Sequence, residues 1–249
     1  MAKAEDLQYW EEPFETVLLG RHAHIDRVLH LACSGMSELT AAPHLLRALR
    51  RPEETVQAAE RDAEFLMQER DAGFPSIFAQ AAVMLWGALE AAVRDFMVRW
   101  LETFPEARSS ERVGKVKIPL ATYDALGPDV RMRFLLEALE QDLGAHFQPG
   151  IAQFEKVLDV LGLKGGVDDG QRRDLLELAA IRNLLVHRAG RADARFLAQA
   201  PWLKYRVGDE IRVTRPDYLR YRVAAYRYAA RVIERARVAA AAWGGRKAP

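Results

Sequence analysis

Ile181-Arg182-Asn183-Leu184-Leu185-Val186-His187-Arg188-Ala189-Gly190 closes a strongly helical pattern that opens near Asp168. At about 100° per residue, Leu175, Leu178, Ile181, Leu185 and Val186 fall on one apolar stripe. Arg182 lies inside that stripe, where a guanidinium is costly to bury without a partner and cannot shed its proton. Asn183 and His187 are four apart and share a second face. One turn therefore presents a fixed cation, an amide and the side chain that titrates near neutrality. Gly190 stands where a helix stop is expected. The dipole at a helix C-terminus accounts for His187 and Arg188, but not for Arg182 on the apolar side.

Outward from this stretch the pattern stays helical. A short helix around Leu45–Leu49 ends at Arg51-Pro52, and an acidic helix spans 53–71, stopping at Gly73. Phe74-Pro75-Ser76 starts a long apolar helix to about Phe104-Pro105, with Leu85, Leu89, Ala92, Phe96 and Trp100 on its face. Glu90 and Asp95 lie on or near that face as candidate supporting acids, although ordinary ion-pair partners look the same in sequence. Residues 1–40 are apolar at irregular spacing and predict short helices; residues 105–128 predict a long loop. Asp129 is expected to cap a helix to about Gly144, and another helix covers Pro149 to Leu161. Alternation over Tyr205–Thr214 predicts a small β-hairpin before a last helix from Pro216-Asp217 to about Trp243.

At 249 residues the chain can bury one large core or two small ones, and its apolar half and abundant charges suit a soluble globular protein. Its opening residues predict no secretory leader, and the apolar stretch Ile77–Val93, interrupted by Gln80 and Glu90, reads as too short for a membrane span. Cys33 is the single cysteine, which rules out an internal disulfide and a zinc-thiolate cage. The expected location is cytoplasmic. His22, His24 and His30 lack a recognisable ligand spacing, and no metal or cofactor is expected. The glycine-rich segment 162–170 follows no strand and lacks a Gly-Lys-Ser/Thr ending, so it is not a nucleotide loop; hydrolase, zincin and kinase signatures are also missing.

Net charge is +1, but its distribution is uneven: Arg172 to Lys247 holds 18 Lys/Arg against 7 Asp/Glu, and the remainder 18 against 28. On the wheel of the last helix Arg220, Arg227, Arg231 and Arg235 lie within about 80°, flanked by Tyr221 and Tyr228. Two readings fit this stripe. It can hold a polynucleotide, with arginines on phosphates and rings stacking, or it can pair with the acidic helix 53–71.

At Arg182-Asn183-Leu184-Leu185-Val186-His187 the chain resembles the HEPN superfamily, the higher eukaryote and prokaryote nucleotide-binding domains. The hallmark is Arg, often followed by Asn, His or Asp, and then His after four to six residues near a helix end. An earlier long helix with Leu89-Glu90 and Val93-Arg94-Asp95 and a final helix extend the likeness over residues 75–243. The resemblance implies an all-α bundle, which places a helical domain over 75–249; residues 1–74 have no assignment from it and are expected to form an N-terminal helical extension. It also implies a homodimer in which two Arg/His motifs face each other. Many such proteins are metal-independent endoribonucleases in defence, toxin–antitoxin or RNA-processing systems; others are non-catalytic modules that bind nucleotides, RNA or a protein partner. The expectation is that Arg182, Asn183 and His187 are catalytic, that Arg188 and the α-helical arginine stripe meet RNA, and that a regulatory or antitoxin partner exists. Some HEPN toxins carry a modifiable tyrosine two residues after the motif His; here that position is Ala189.

Overall fold

The computed structural model describes residues 7–244, without the side chains of Leu120 and Asp129. The fold is all-α. Among the described residues the helices are α1 (Gly20–Leu39), α2 (Ala42–Ala48), α3 (Glu53–Asp71), α4 (Pro75–Thr103), α5 (Pro105–Arg108), α6 (Glu111–Gly114), α7 (Leu120–Ala125), α8 (Pro128–Asp142), α9 (Ala152–Val160), α10 (Asp169–His187), α11 (Ala194–Gln199) and α12 (Arg215–Ala242). A π-helical turn, Phe14–Leu19, leads into α1, and a 3₁₀ turn, Ala145–Phe147, follows α8.

α4 is the axis of the molecule, because it is apolar around nearly its whole circumference and must be covered on all sides. Ala82, Leu85, Leu89, Ala92, Val93, Phe96, Met97, Trp100 and Leu101 have no exposure. Helices α1, α8, α10 and α12 and the π-helical turn supply that cover. By length and composition α4 could cross a membrane. It is longer than the Ile77–Val93 stretch suggested, and its apolarity is used in the core. One end of the core is aromatic: Trp100 meets Phe104 at 4.1 Å, Trp10 at 5.3 Å and Trp243 at 5.6 Å between ring centroids. The Trp100 indole N–H donates to the Leu161 carbonyl at 3.2 Å. Gly162, at φ +81° just after α9, lies so close to Trp243 that a Cβ would meet its ring at 2.8 Å.

Several expectations need correction. Of the segment 1–40, residues 1–6 lie outside the described residues, and 7–40 hold the π-helical turn and the 20-residue α1 rather than short helices; the spacing misleads because Ile25 is the buried residue of α1, while Leu31 is 71% exposed. The segment read as an extension contributes Trp10, Phe14, Leu18 and Ile25 to the same core as α4 and α12. The predicted loop 105–128 contains α5, α6 and α7. α8 begins one residue before Asp129, after an N-cap at Gly127, and the Asp129 side chain lies outside the described set. No strand forms among the described residues; in place of a hairpin over 205–214 there is one antiparallel bridge, Arg191 to Glu210. The segment turns at Arg206–Asp209 but pairs with residues just after α10: Ile211 N–H donates to the Gly190 carbonyl and Ala192 N–H to the Asp209 carbonyl. A lone hairpin is marginal in water, and the backbone after α10 offers a partner already fixed by the core.

Candidate functional site

The chain places the motif on the last turn of α10. Asp168 caps the helix start, its carboxylate accepting from Gln171 N–H at 2.8 Å. Further along, Leu175, Leu178, Ile181 and Leu184 are buried. At the final turn the core falls away from one side, so Val186 is 47% exposed instead of continuing the stripe. Arg182 is half-buried on that same side, and Asn183 and His187 are exposed. Arg182 is therefore not a buried charge. Its Nη1 lies 3.1 Å from Asn183 Oδ1 and 3.4 Å from His187 Nε2. Among the described residues it has no ion pair. A guanidinium only donates, so its approach to Nε2 is attractive when that nitrogen carries a lone pair, the form required of a general base.

The turn is held from below. Arg188 and Gly190 N–H groups both donate to the Leu184 carbonyl, and the chain leaves through Ala189 at φ +50° and Gly190 at φ +70°. Left-handed backbone at alanine carries a steric cost of about 1–2 kcal/mol that glycine avoids. Ala189 is exposed, so its methyl group packs little. Ala189→Gly should therefore stabilise the protein by about 0.5–1 kcal/mol, after the added freedom of the unfolded chain is subtracted. Thermal unfolding checks this, and a lower melting temperature would contradict it.

Beside the motif lies a cleft of about 550 Å³ between the end of α3, the start of α4 and the turn after α10. Leu185, Ala189, Gly190, Ser76, Gln80 and Arg212 line it. Two of these residues did not stand out in the sequence: Gln80, near the start of α4, and Arg212, which arrives because 205–214 folds back onto the turn after α10. Their only sequence signal is polarity next to apolar neighbours. The candidate acids are elsewhere. From Gln80, Glu90 is about 15 Å and Asp95 about 22 Å further along α4 by helical rise. Glu90 lines a cavity of about 390 Å³ between α4, α8 and α9, and Asp95 pairs with Arg133 at 2.8 Å. The structure does not bring either acid to the motif.

The arginine stripe of α12 is also largely used inside the fold. Arg220 is ion-paired with Asp174, with Glu177 at 2.6 Å and with Asp217 at 3.3 Å. Arg235 grips both oxygens of Glu155 at 3.0 Å and donates to the Gly166 carbonyl. Arg231 pairs with Asp168 at 3.2 Å. Tyr221 and Tyr228 are buried, with their hydroxyls on Glu177 and Glu155, so their rings are not available for stacking. Burial, then the Glu177 hydrogen bond, holds the Tyr221 hydroxyl far above its ordinary pKa; burial and the Glu155 charge do the same to Tyr228. For Arg220 burial works to lower the pKa, but the hydrogen bonds it donates to the carboxylates of Glu177 and Asp174 win and raise it. The partners of the stripe are acids of α9, of α10 and its cap Asp168, and of α12 itself, not those of α3. Among the described residues no ion pair joins α3 to α12, and Glu60 of α3 binds Arg47 of α2.

Arg227 is exposed without an ion pair among the described residues, and Arg188 is exposed with Asp193 at 3.7 Å. α10 and α12 run antiparallel, since Arg231 meets Asp168 while Arg220 meets Glu177. The stripe thus leads away from the motif: Asp168 is about 21 Å from Arg182 along α10. Of the predicted contacts, Arg188 adjoins the motif in the chain. Among the described residues no three His, Cys, Asp or Glu side chains gather as a metal site. No family model, curated protein or solved structure matches this chain.

Proposed function

We propose that the chain is a metal-independent endoribonuclease of HEPN type, acting in the cytoplasm as a homodimer. The observation that carries this reading is a guanidinium that has no carboxylate partner among the described residues and is hydrogen-bonded to an exposed amide and an exposed imidazole at one helix end. RNA carries its own nucleophile, the 2′-OH. His187 takes the proton from that hydroxyl as the oxygen attacks the adjacent phosphorus. Arg182 donates to the non-bridging oxygens as charge builds there. Asn183 holds the Arg182 guanidinium in place. The 5′-oxygen leaves with a proton, and the upstream fragment ends in a 2′,3′-cyclic phosphate. The second chain of a dimer supplies the acid for that last transfer through its own motif.

The test is incubation of RNA with purified protein in excess chelator, with end-group analysis of the fragments. Cyclic phosphate ends are expected. Light scattering at the assay concentration should report a dimer; a monomer that cuts would remove the second chain from the scheme. A protein that binds RNA but cuts none of a broad pool would instead be a binding module of the same type.

A further inference from the structure

A second cavity opens across the first turn of α4 from the motif cleft, between α1, the start of α4 and the start of α12, and holds about 570 Å³. That volume is typical of small-molecule sites. Its walls are apolar where Leu29, Phe74, Phe78 and Leu219 meet, and its polar groups converge from α1 and α12. Tyr218, which lines it, is 1% exposed, and its buried hydroxyl has no hydrogen-bond partner. A buried hydroxyl left unpaired costs stability. Phe74 sits at φ +59°, a conformation a bulky side chain rarely adopts and one that clusters at ligand sites.

The charges define what fits. Arg222 is held by Asp26 at 3.5 Å and by His22 at 3.2 Å. Arg215 is exposed and has no ion pair among the described residues. Burial raises the pKa of the Cys33 thiol on the α1 wall, against the pull of Arg215, so no thiolate neutralises that arginine. Two arginines against Asp26 leave room for one negative charge, and a dianion would bring its second charge toward Asp26. A guanidinium fork and a hydroxyl together match the lone pairs of one carboxylate.

We propose that this cavity binds a small monocarboxylate with an aromatic body, its carboxylate on Arg215 and the Tyr218 hydroxyl and its ring against Phe74, Phe78 and Leu29. This site is independent of the ribonuclease reading. The test is calorimetric titration of the full chain with three probes of one shape: 1-naphthylacetate, the neutral 2-(1-naphthyl)ethanol and 1-naphthyl phosphate. The carboxylate should bind saturably, roughly tenfold or more tighter than the alcohol and the phosphate. Arg215→Gln should reduce its affinity to that of the alcohol. Tyr218→Phe should weaken it several-fold while raising the melting temperature of the unliganded protein, because the orphan hydroxyl is gone. Circular dichroism of both variants confirms that the fold is kept. Absence of saturable carboxylate binding at millimolar concentration overturns the proposal. So does equal or tighter binding of the alcohol or the phosphate, or carboxylate binding that neither substitution weakens.

Discussion

His187→Ala should reduce metal-independent RNA cleavage by about 10²–10⁴-fold, the usual contribution of a positioned general acid or base. Arg182→Ala should cost about 10²–10³-fold, as expected for one donor to transition-state charge. Both effects should appear in kcat, because each group acts on a proton or a charge that moves only in the transition state. Stability should change by no more than about 0.5 kcal/mol in either variant, since His187 is exposed and Arg182 is half-exposed with no ion pair among the described residues. Arg182→Lys should recover part of the rate, because a lysine keeps the charge but not the planar fork. The measurement is cleavage of a labelled RNA in chelator, alongside thermal unfolding of each variant. Cleavage that survives in His187→Ala would remove the imidazole from the reaction and with it the proposed mechanism.

Glu177→Ala should destabilise the protein by about 3 kcal/mol, near the lower end for removal of one member of a buried ion pair. The Glu177 carboxylate is 3% exposed and accepts from Arg220 at 2.6 Å, from Trp202 Nε1 at 3.0 Å and from the Tyr221 hydroxyl. Its loss strands a buried phenol and an indole N–H and takes one of its carboxylates from the guanidinium. Arg220 keeps Asp174 and Asp217 and some solvent, which limits the cost. At about 2–4 °C per kcal/mol the melting temperature should fall by roughly 6–12 °C. Glu177→Gln retains an acceptor of the same shape and should cost less than the alanine variant. A loss under about 1 kcal/mol for Glu177→Ala would mean that the network is not what clamps α10 against α12. The clamp matters to the site, because Glu177 lies five residues before Arg182 on the same helix.

These two positions mark how differently sequence and fold report on function. Arg182, Asn183 and His187 were legible because they lie within six consecutive residues of one helix, and helical periodicity fixes neighbours at that range without help from the rest of the chain. Glu177 carried no such signal. It reads as one more acid on a charged helix until Arg220, Tyr221 and Trp202 arrive from 25 to 44 residues away. The α12 stripe shows the same limit from the other side. Its arginines are regularly spaced in sequence, but whether such a row meets phosphate or carboxylate depends on which helix packs against it. The acids of α9 and α10 occupy Arg220, Arg231 and Arg235 and leave Arg227 free of ion pairs among the described residues.

By itself the sequence determined the all-α class and the approximate ends of α3, α4, α9, α10 and α12. Proline at a helix start, an acid cap and glycine at a helix stop act within a few residues, and they do so through local backbone sterics and hydrogen bonds. It also determined that one helix end would carry Arg182, Asn183 and His187 together. The tertiary structure alone decided that Tyr221 and Tyr228 are core residues, that Glu90 and Asp95 lie far along α4 from the motif, and that residues 205–211 pair with the turn after α10. Each of these depends on burial or on pairing between distant segments. Their energies come from the surface that long-range packing removes from water and from the partners that packing supplies.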